Sequence, residues 1–223
     1  MFDLKEKTYV VLEFVTIDGY YTNIETKKDR QQVHLNFPTI IEMAAVKINK
    51  GKIVEHYSTF VGIDGCNASD LKFEEESPEL DGITAEHLIG APSFYDAAER
   101  LFKFTKDCTL ITKYSKNDSR NPLHLIKRYT EPAGYIFNNP VLSINNIITA
   151  IKINENAENG AYNLALSFED KDGYADIVAQ YLDVDAESGR QDSLSRALLT
   201  ARLFIALSNE IPKLKPIDEV APF

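Results

Sequence analysis

Apolar positions follow two rhythms along this chain. Tyr9-Val10-Val11-Leu12 is a short run without helical period, the mark of a buried strand, and it ends on Glu13 ahead of Phe14-Val15-Thr16. Two further β-rich runs, 39–48 and 53–61, are joined by Asn49-Lys50-Gly51-Lys52, whose Asn and Gly supply turn chemistry and predict a hairpin. The polar stretch 20–36 has no apolar period and reads as an exposed loop or insertion.

Beyond an irregular polar segment at 64–77 the rhythm becomes helical. Thr84 is placed to cap a short helix with Gly90 past its end. Pro92-Ser93 opens a second helix, in which Phe94, Ala97, Ala98, Leu101 and Phe102 share a face. Residues 108–112 predict a fourth strand, Leu123, Ile126 and Lys127 a helix, 135–137 a fifth strand, and 144–151 and 175–182 further helices. Asp192 caps a long helix to Ser208, with Leu194, Leu198, Ala201 and Ile205 on its buried face. Three antiparallel strands followed by alternating helices and strands predict an α/β sheet with helices packed on it. Residues 1–210 read as a single domain, and the tail 211–223, with Pro212, Pro216 and Pro222, as extended.

Composition changes this picture in few places. With 223 residues, 44% hydrophobic and 26% charged, the chain fits a soluble globular domain with a full core. Its net charge of -10 argues against a general polyanion binder. Locally, however, Lys113, Lys116, Arg120, Lys127 and Arg128 stand against Asp118 alone, as a solvated helix face or a phosphate-facing patch. Cys66 and Cys108 are isolated, which predicts neither a zinc site nor a disulfide framework and points to the cytoplasm. A charged N-terminus and the lack of a long apolar run predict no signal peptide and no membrane partner.

Glu13 directs the search for chemistry. A carboxylate at the end of a buried strand is costly unless a metal, a cation or water meets it, and in open α/β sheets that end is where ligands sit. The surrounding pieces resemble a family. Glu13-Phe14-Val15-Thr16 with Gly19, then Ile40-Ile41-Glu42-Met43-Ala44-Ala45-Val46, Leu80-Asp81-Gly82-Ile83-Thr84 and Gly90-Ala91-Pro92-Ser93-Phe94 occur in the order seen in the DEDDh 3′–5′ exonucleases. The same holds for Ile111 through Asp118, Tyr181-Leu182-Asp183-Val184 and Gln191 through Leu198. This is the group of the polymerase III epsilon proofreading subunit and ribonuclease T. The resemblance covers most of 8–208, is weak between about 138 and 172, and implies a ribonuclease H-like fold with a five-stranded mixed sheet, three antiparallel strands followed by parallel additions.

In that family, carboxylates hold two divalent metals and a histidine is the general base. By position, the resemblance puts Glu13 at the first aspartate, Val15 at the first-motif glutamate, Asp118 at the second aspartate, Gln191 at the histidine and Arg196 at the last aspartate. Glu13 and Asp118 are thus the only retained acids and the only metal ligands if any metal binds. Val15 cannot ligate, Gln191 cannot shuttle a proton, and Arg196 reverses a charge. The expectation is a non-catalytic chain with no cofactor, Mg²⁺ or Mn²⁺ entering only if activity persists. Arg196 is expected to pair with Glu13, Asp118 or both in place of metal. Asp18, Glu42, Asp192 and His124 are the candidates for rescue, although Asp192 reads more simply as a helix cap. His34, His56 and His87 fall in no motif position.

Three functions fit: binding of a protein partner, including self-association, or of a nucleic-acid end by an inactive site; weak metal-dependent 3′–5′ trimming of single-stranded DNA or RNA; and nucleic-acid binding through Lys113, Lys116, Arg120 and Arg196. The acidic total ranks a protein partner first.

Overall fold

The structure is a computed structural model and describes residues 4, 6–17, 23–25, 32–34, 39–62, 83–114, 121, 123–131, 134–158, 178, 180–182 and 192–208. Period-two alternation continues past Glu13, so the first strand, β1 (Thr8–Ile17), does not stop at the acid as its apolar run suggests. Backbone pairing carries it on: β1 runs antiparallel to β4 (Thr39–Asn49) from Thr8↔Asn49 to Ile17↔Thr39, with a bulge between Val15 and Thr16. Between these strands, β2 (Asn23–Glu25) and β3 (Gln32–His34) form a separate antiparallel ribbon. The loop expected over 20–36 is thereby corrected at its centre. Three-residue ladders are held by backbone groups and need no apolar period to announce them.

β4 turns into β5 (Lys52–Phe60) through Lys50 and Gly51, at φ 51° and 71°. Two successive positive φ values give the twist that a tight antiparallel hairpin requires. After α1 (Ala85–Leu88), helix α2 (Phe94–Thr105) starts where Ser93 Oγ accepts the Asp96 N–H at 3.2 Å. Strand β6 (Thr109–Thr112) lies parallel to β1, α3 (Leu123–Thr130) follows, and β7 (Val141–Ser143) lies parallel to β6. The order β5-β4-β1-β6-β7 is a five-stranded mixed sheet, three antiparallel strands with two parallel additions.

The fifth strand is β7 rather than 135–137. Phe137 is drawn out of any ladder into the core, edge-on to Phe102 with centroids 5.2 Å apart. The Asn139 amide then donates to the Thr105 and Cys108 carbonyls at 2.8 and 2.9 Å, pinning this segment as a connector.

Helices α4 (Ile144–Glu158) and α5 (Ser193–Ser208) cover one face of the sheet, burying Tyr9, Val11, Ala44, Val46, Ile48 and Ile111. Helices α2 and α3 cover the other, over Val10, Leu12, Phe14, Met43, Ala45 and Leu110. On α5 Ala201 is buried as expected, but Leu194, Leu198 and Ile205 are only partly covered. They pack against the core's edge, while Ala197, Ala201, Phe204 and Leu207 lie fully inside it, because small residues let the helix approach and Phe204 meets Tyr9 at 5.1 Å. Val178 is helical and buried in the same core, within the predicted 175–182 segment. Among the described residues no helix is long and apolar enough to cross a membrane. Segment 64–77 and the tail from 211 lie outside the described residues.

Phe204→Ala is expected to cost about 3–5 kcal/mol in denaturant unfolding, the range for emptying a fully buried aromatic site. Gly51→Ala should cost about 1 kcal/mol, because its positive φ rather than crowding is what a side chain opposes there.

Candidate active site

Tyr9 and Val11 of β1 and Ala44, Val46 and Ile48 of β4 share a core with α5, and this face assembles the site. Val15 lies directly opposite Glu42, and Glu13 opposite Ala44. Directly opposed residues of an antiparallel pair share a face, so Glu13, Val15 and Glu42 point to the same side. Above them, the first turns of α5 bring Ser193, Arg196 and Thr200. Glu42 Oε2 accepts the Ser193 backbone N–H at 3.1 Å. Asp192 Oδ1 accepts the Ser195 N–H at 2.6 Å as the helix cap. Two carboxylates therefore neutralise the positive end of α5.

Arg196 points inward. Its Nη2 donates to the Phe14 carbonyl at 3.1 Å, anchoring the guanidinium to the backbone between Glu13 and Val15. With Glu13, the guanidinium interacts through its field, while its hydrogen bond goes to the strand backbone; the other expected partner, Asp118, lies outside the described residues. Thr200 Oγ1 donates to Glu13 Oε1 at 3.3 Å. Burial pushes the Glu13 carboxyl above the usual carboxylate value of 4.5; Arg196, Lys113 and the Thr200 hydrogen bond oppose this without cancelling it. The residue as a whole is partly covered, but its carboxyl end is enclosed.

The remaining expected residues are dispersed. Val15 is buried at 5% exposure and presents only methyl groups. Lys113 follows β6, near enough for its charge to act on Glu13. Asp18, Lys116, Asp118, Arg120 and Gln191 lie outside the described residues. His124 is exposed on α3 and His56 on β5. His87 Nδ1 accepts the Thr84 N–H at 2.9 Å and belongs to the start of α1. His34 pairs through its backbone in β3.

Three participants escaped the sequence reading. Thr200 stands one helical turn beyond Arg196, a spacing that places both on one face. Ser193 opens the helix. Asn121 ties β6 to α3, its amide donating to Thr112 Oγ1 and the Tyr114 carbonyl while its Oδ1 accepts the Leu123 N–H.

A pair of divalent metals needs several ionised carboxylates turned toward one another. The described side chains do not fit that demand. Val15 is apolar, and the Arg196 guanidinium is anchored on the carbonyl between it and Glu13. Among the described residues, no three His, Cys, Asp or Glu side chains are grouped to hold a metal ion.

A family model described as exonuclease, RNase_T, matches residues 25–153, more than half of the chain. The fold is similar to that of a full-length 3′-exonuclease, at 14% identity and TM-score 0.57, over 95% of this chain and 85% of that one. It is also similar to E. coli Exonuclease I in complex with an oligonucleotide, at 10% identity and TM-score 0.58, over 94% of this chain but 42% of that one. A third likeness is to a chain in a structure of the yeast NOT1 MIF4G domain co-crystallised with CAF1, at 13% identity and TM-score 0.54, over 96% and 86%. No curated protein sequence matches the chain.

Glu13 yields a prediction with a definite sign. A carboxyl whose folded value is raised contributes stability fully below about pH 4.5, and that contribution is lost as pH rises through the folded value. Glu13→Gln keeps an acceptor for Thr200 and cannot ionise. It should therefore raise the Tm at pH 7 relative to wild type, with the gain vanishing as the pH approaches 4 in parallel melts.

Proposed function

The chain belongs to the RNase_T exonuclease family, and on that premise we propose that it is a member that keeps the ribonuclease H-like scaffold without the metal-dependent chemistry and acts by binding a partner. The observation that carries this reading is the Arg196 guanidinium fixed to the Phe14 carbonyl. Phe14 stands between Glu13 and Val15, the two positions where the first-motif carboxylates belong. A permanent cation there repels divalent ions.

Both partner classes are represented among chains of similar fold, an oligonucleotide on Exonuclease I and a protein–protein pair in the NOT1–CAF1 structure. For this chain the net charge of -10 favours a protein or a second copy over nucleic acid in general. Lys113, Lys116, Arg120 and Arg196 are the residues proposed to meet phosphates. The isolated cysteines support a cytoplasmic location on this reading.

One observation favours a second reading, weak Mg²⁺- or Mn²⁺-dependent 3′–5′ trimming of single-stranded DNA or RNA. Glu42 lies directly across from Val15 on the same face and could offer the carboxylate that Val15 lacks. Its Oε2 is already engaged by the Ser193 N–H, which ranks this reading second.

Titration of Mn²⁺ by calorimetry, beside a 5′-labelled single-stranded oligonucleotide assay, separates the two. The expected result is no binding heat and no shortening above the EDTA control. Ladders of 3′-trimmed product that EDTA abolishes would establish the second reading and sink the first.

A further inference from the structure

We propose that the outer edge of β5 is a self-association surface, where a second copy of this chain adds its own β5 antiparallel about a two-fold axis at Tyr57. For the kind of partner this rests on the partner-binding reading above. For its geometry it uses none of the residues beneath α5.

β5 ends the sheet, with β4 on one side and no described strand on the other. One bond fixes which way its backbone groups point. Val61 N–H donates at 2.8 Å to the carbonyl of Ile41, its opposite in the β4–β5 register, so Glu55, Tyr57 and Thr59 turn their backbone groups toward β4. His56, Ser58 and Phe60 therefore turn theirs outward. The next outward donor, Gly62 N–H, is taken by the Pro92 carbonyl at 2.9 Å. At the other end, pairing steps from Lys47↔Glu55 to Ile48↔Ile53 and leaves Val54 bulged. Both ends of the edge are thus closed to strand addition, and the stretch between them is open. The Phe60 carbonyl accepts the Thr59 hydroxyl at 2.8 Å. His56 and Ser58 are exposed, and among the described residues no backbone group meets their outward N–H and C=O.

Apolar side chains gather along this edge. Of the exposed large hydrophobics among the described residues, Ile53 and Val54 lie on β5 itself. Ile89 follows α1, whose His87 ring stands 5.0 Å from that of Phe60. Tyr95 lies on α2, whose Ala97 carbonyl accepts the Tyr57 hydroxyl at 3.1 Å. Such a grouping beside an unpaired strand marks an interaction surface.

Charge and register select a second copy. At a net charge of -10, two copies repel wherever their acids face each other. β5 carries one acid, Glu55, and Lys47 pairs with it at 2.9 Å. A two-fold at Glu55 would oppose two glutamates, and one at His56 two imidazoles. At Tyr57 it sets His56 against Ser58, Glu55 against Thr59 and Val54 level with Phe60. His56 and Ser58 of the two chains then exchange backbone hydrogen bonds in both directions, and the contact closes as a dimer.

The test is sedimentation equilibrium over about a hundredfold range of concentration. The mass should rise from 25.1 kDa toward twice that, with half-association at about 1–100 µM, the weak end for a small interface. Ser58→Pro removes an outward donor without touching the β4–β5 ladder, and should weaken association about tenfold or more because each copy loses a bond. Val54→Lys, at a side chain 56% exposed, should weaken it likewise. Both variants should melt as wild type does.

The double variant His56→Cys/Ser58→Cys should form a disulfide-linked dimer on a non-reducing gel while either single variant does not, since only positions 56 and 58 lie opposite one another within reach. A protein monomeric at every concentration, a dimer indifferent to Ser58→Pro and Val54→Lys, or single variants that cross-link as well as the double one overturns the proposal. A monomer would leave the non-catalytic reading standing. EDTA-sensitive trimming in the Mn²⁺ assay would overturn that reading without altering the sedimentation result.

Discussion

Glu42 accepts the backbone N–H of Ser193 across 151 residues of sequence, and the geometry of the site follows from that bond. It fixes where along β4 helix α5 begins, and so which helix residues fall over which strand residues. With Ser193 held there, Ala197, Ala201 and Phe204 descend onto Tyr9, Val11 and Ala44 in one core. The same phasing sets Arg196 and Thr200 over Glu13 and the Phe14 carbonyl. A helix shifted by one residue would rotate about 100° and carry Arg196 away from the sheet while burying Leu198 or Leu194 in its place. Apolar packing supplies the adhesion, and the buried carboxylate supplies the register.

Electrostatics at the site are arranged to stand without a counter-ion. Clustered carboxylates repel one another and need a bound cation to be stable in one place. On the proposed reading that requirement has been removed twice. Val15 takes away one negative charge, and Arg196 adds a positive one that is held covalently by the helix. Burial raises the Glu13 carboxyl above its usual value, outweighing the pull of Arg196, Lys113 and Thr200. Any ion pair formed there has to recover the desolvation of both partners.

The strands and helices with strong apolar rhythm were legible in the sequence: β1, the β4–β5 hairpin, α2, α4 and α5 all follow from period and turn chemistry. What escaped was set by contacts no local window contains. The β2–β3 ribbon is a backbone ladder in polar sequence. Tyr135-Ile136-Phe137 has strand composition, but Phe137 is recruited by Phe102 and the following Asn139 by two carbonyls, so pairing begins only at Val141. The buried face of α5 was misplaced because leucines outweigh alanines on a hydrophobicity count, whereas close approach to a sheet favours the alanines. At the site, the identities of Glu13, Val15 and Arg196 were readable from motif order. The Phe14 carbonyl as the partner of Arg196 was not, since a backbone acceptor leaves no trace in residue type.

Between Val15 and Thr16 the pairing steps from Glu42 to Ile40, so the extra residue, Ile41, belongs to β4. Bulges of this kind re-aim the side chains around them, and this one adjoins Val15 and Glu42. With the side chains found here, β1 presents a carbonyl to a guanidinium. Likeness of fold at 10–14% identity shows the fold and leaves open what the site binds. The answer lies with the groups that face inward. In this chain the described ones are an acid whose pKa burial raises, a guanidinium anchored on a backbone carbonyl and, at Val15, methyl groups alone.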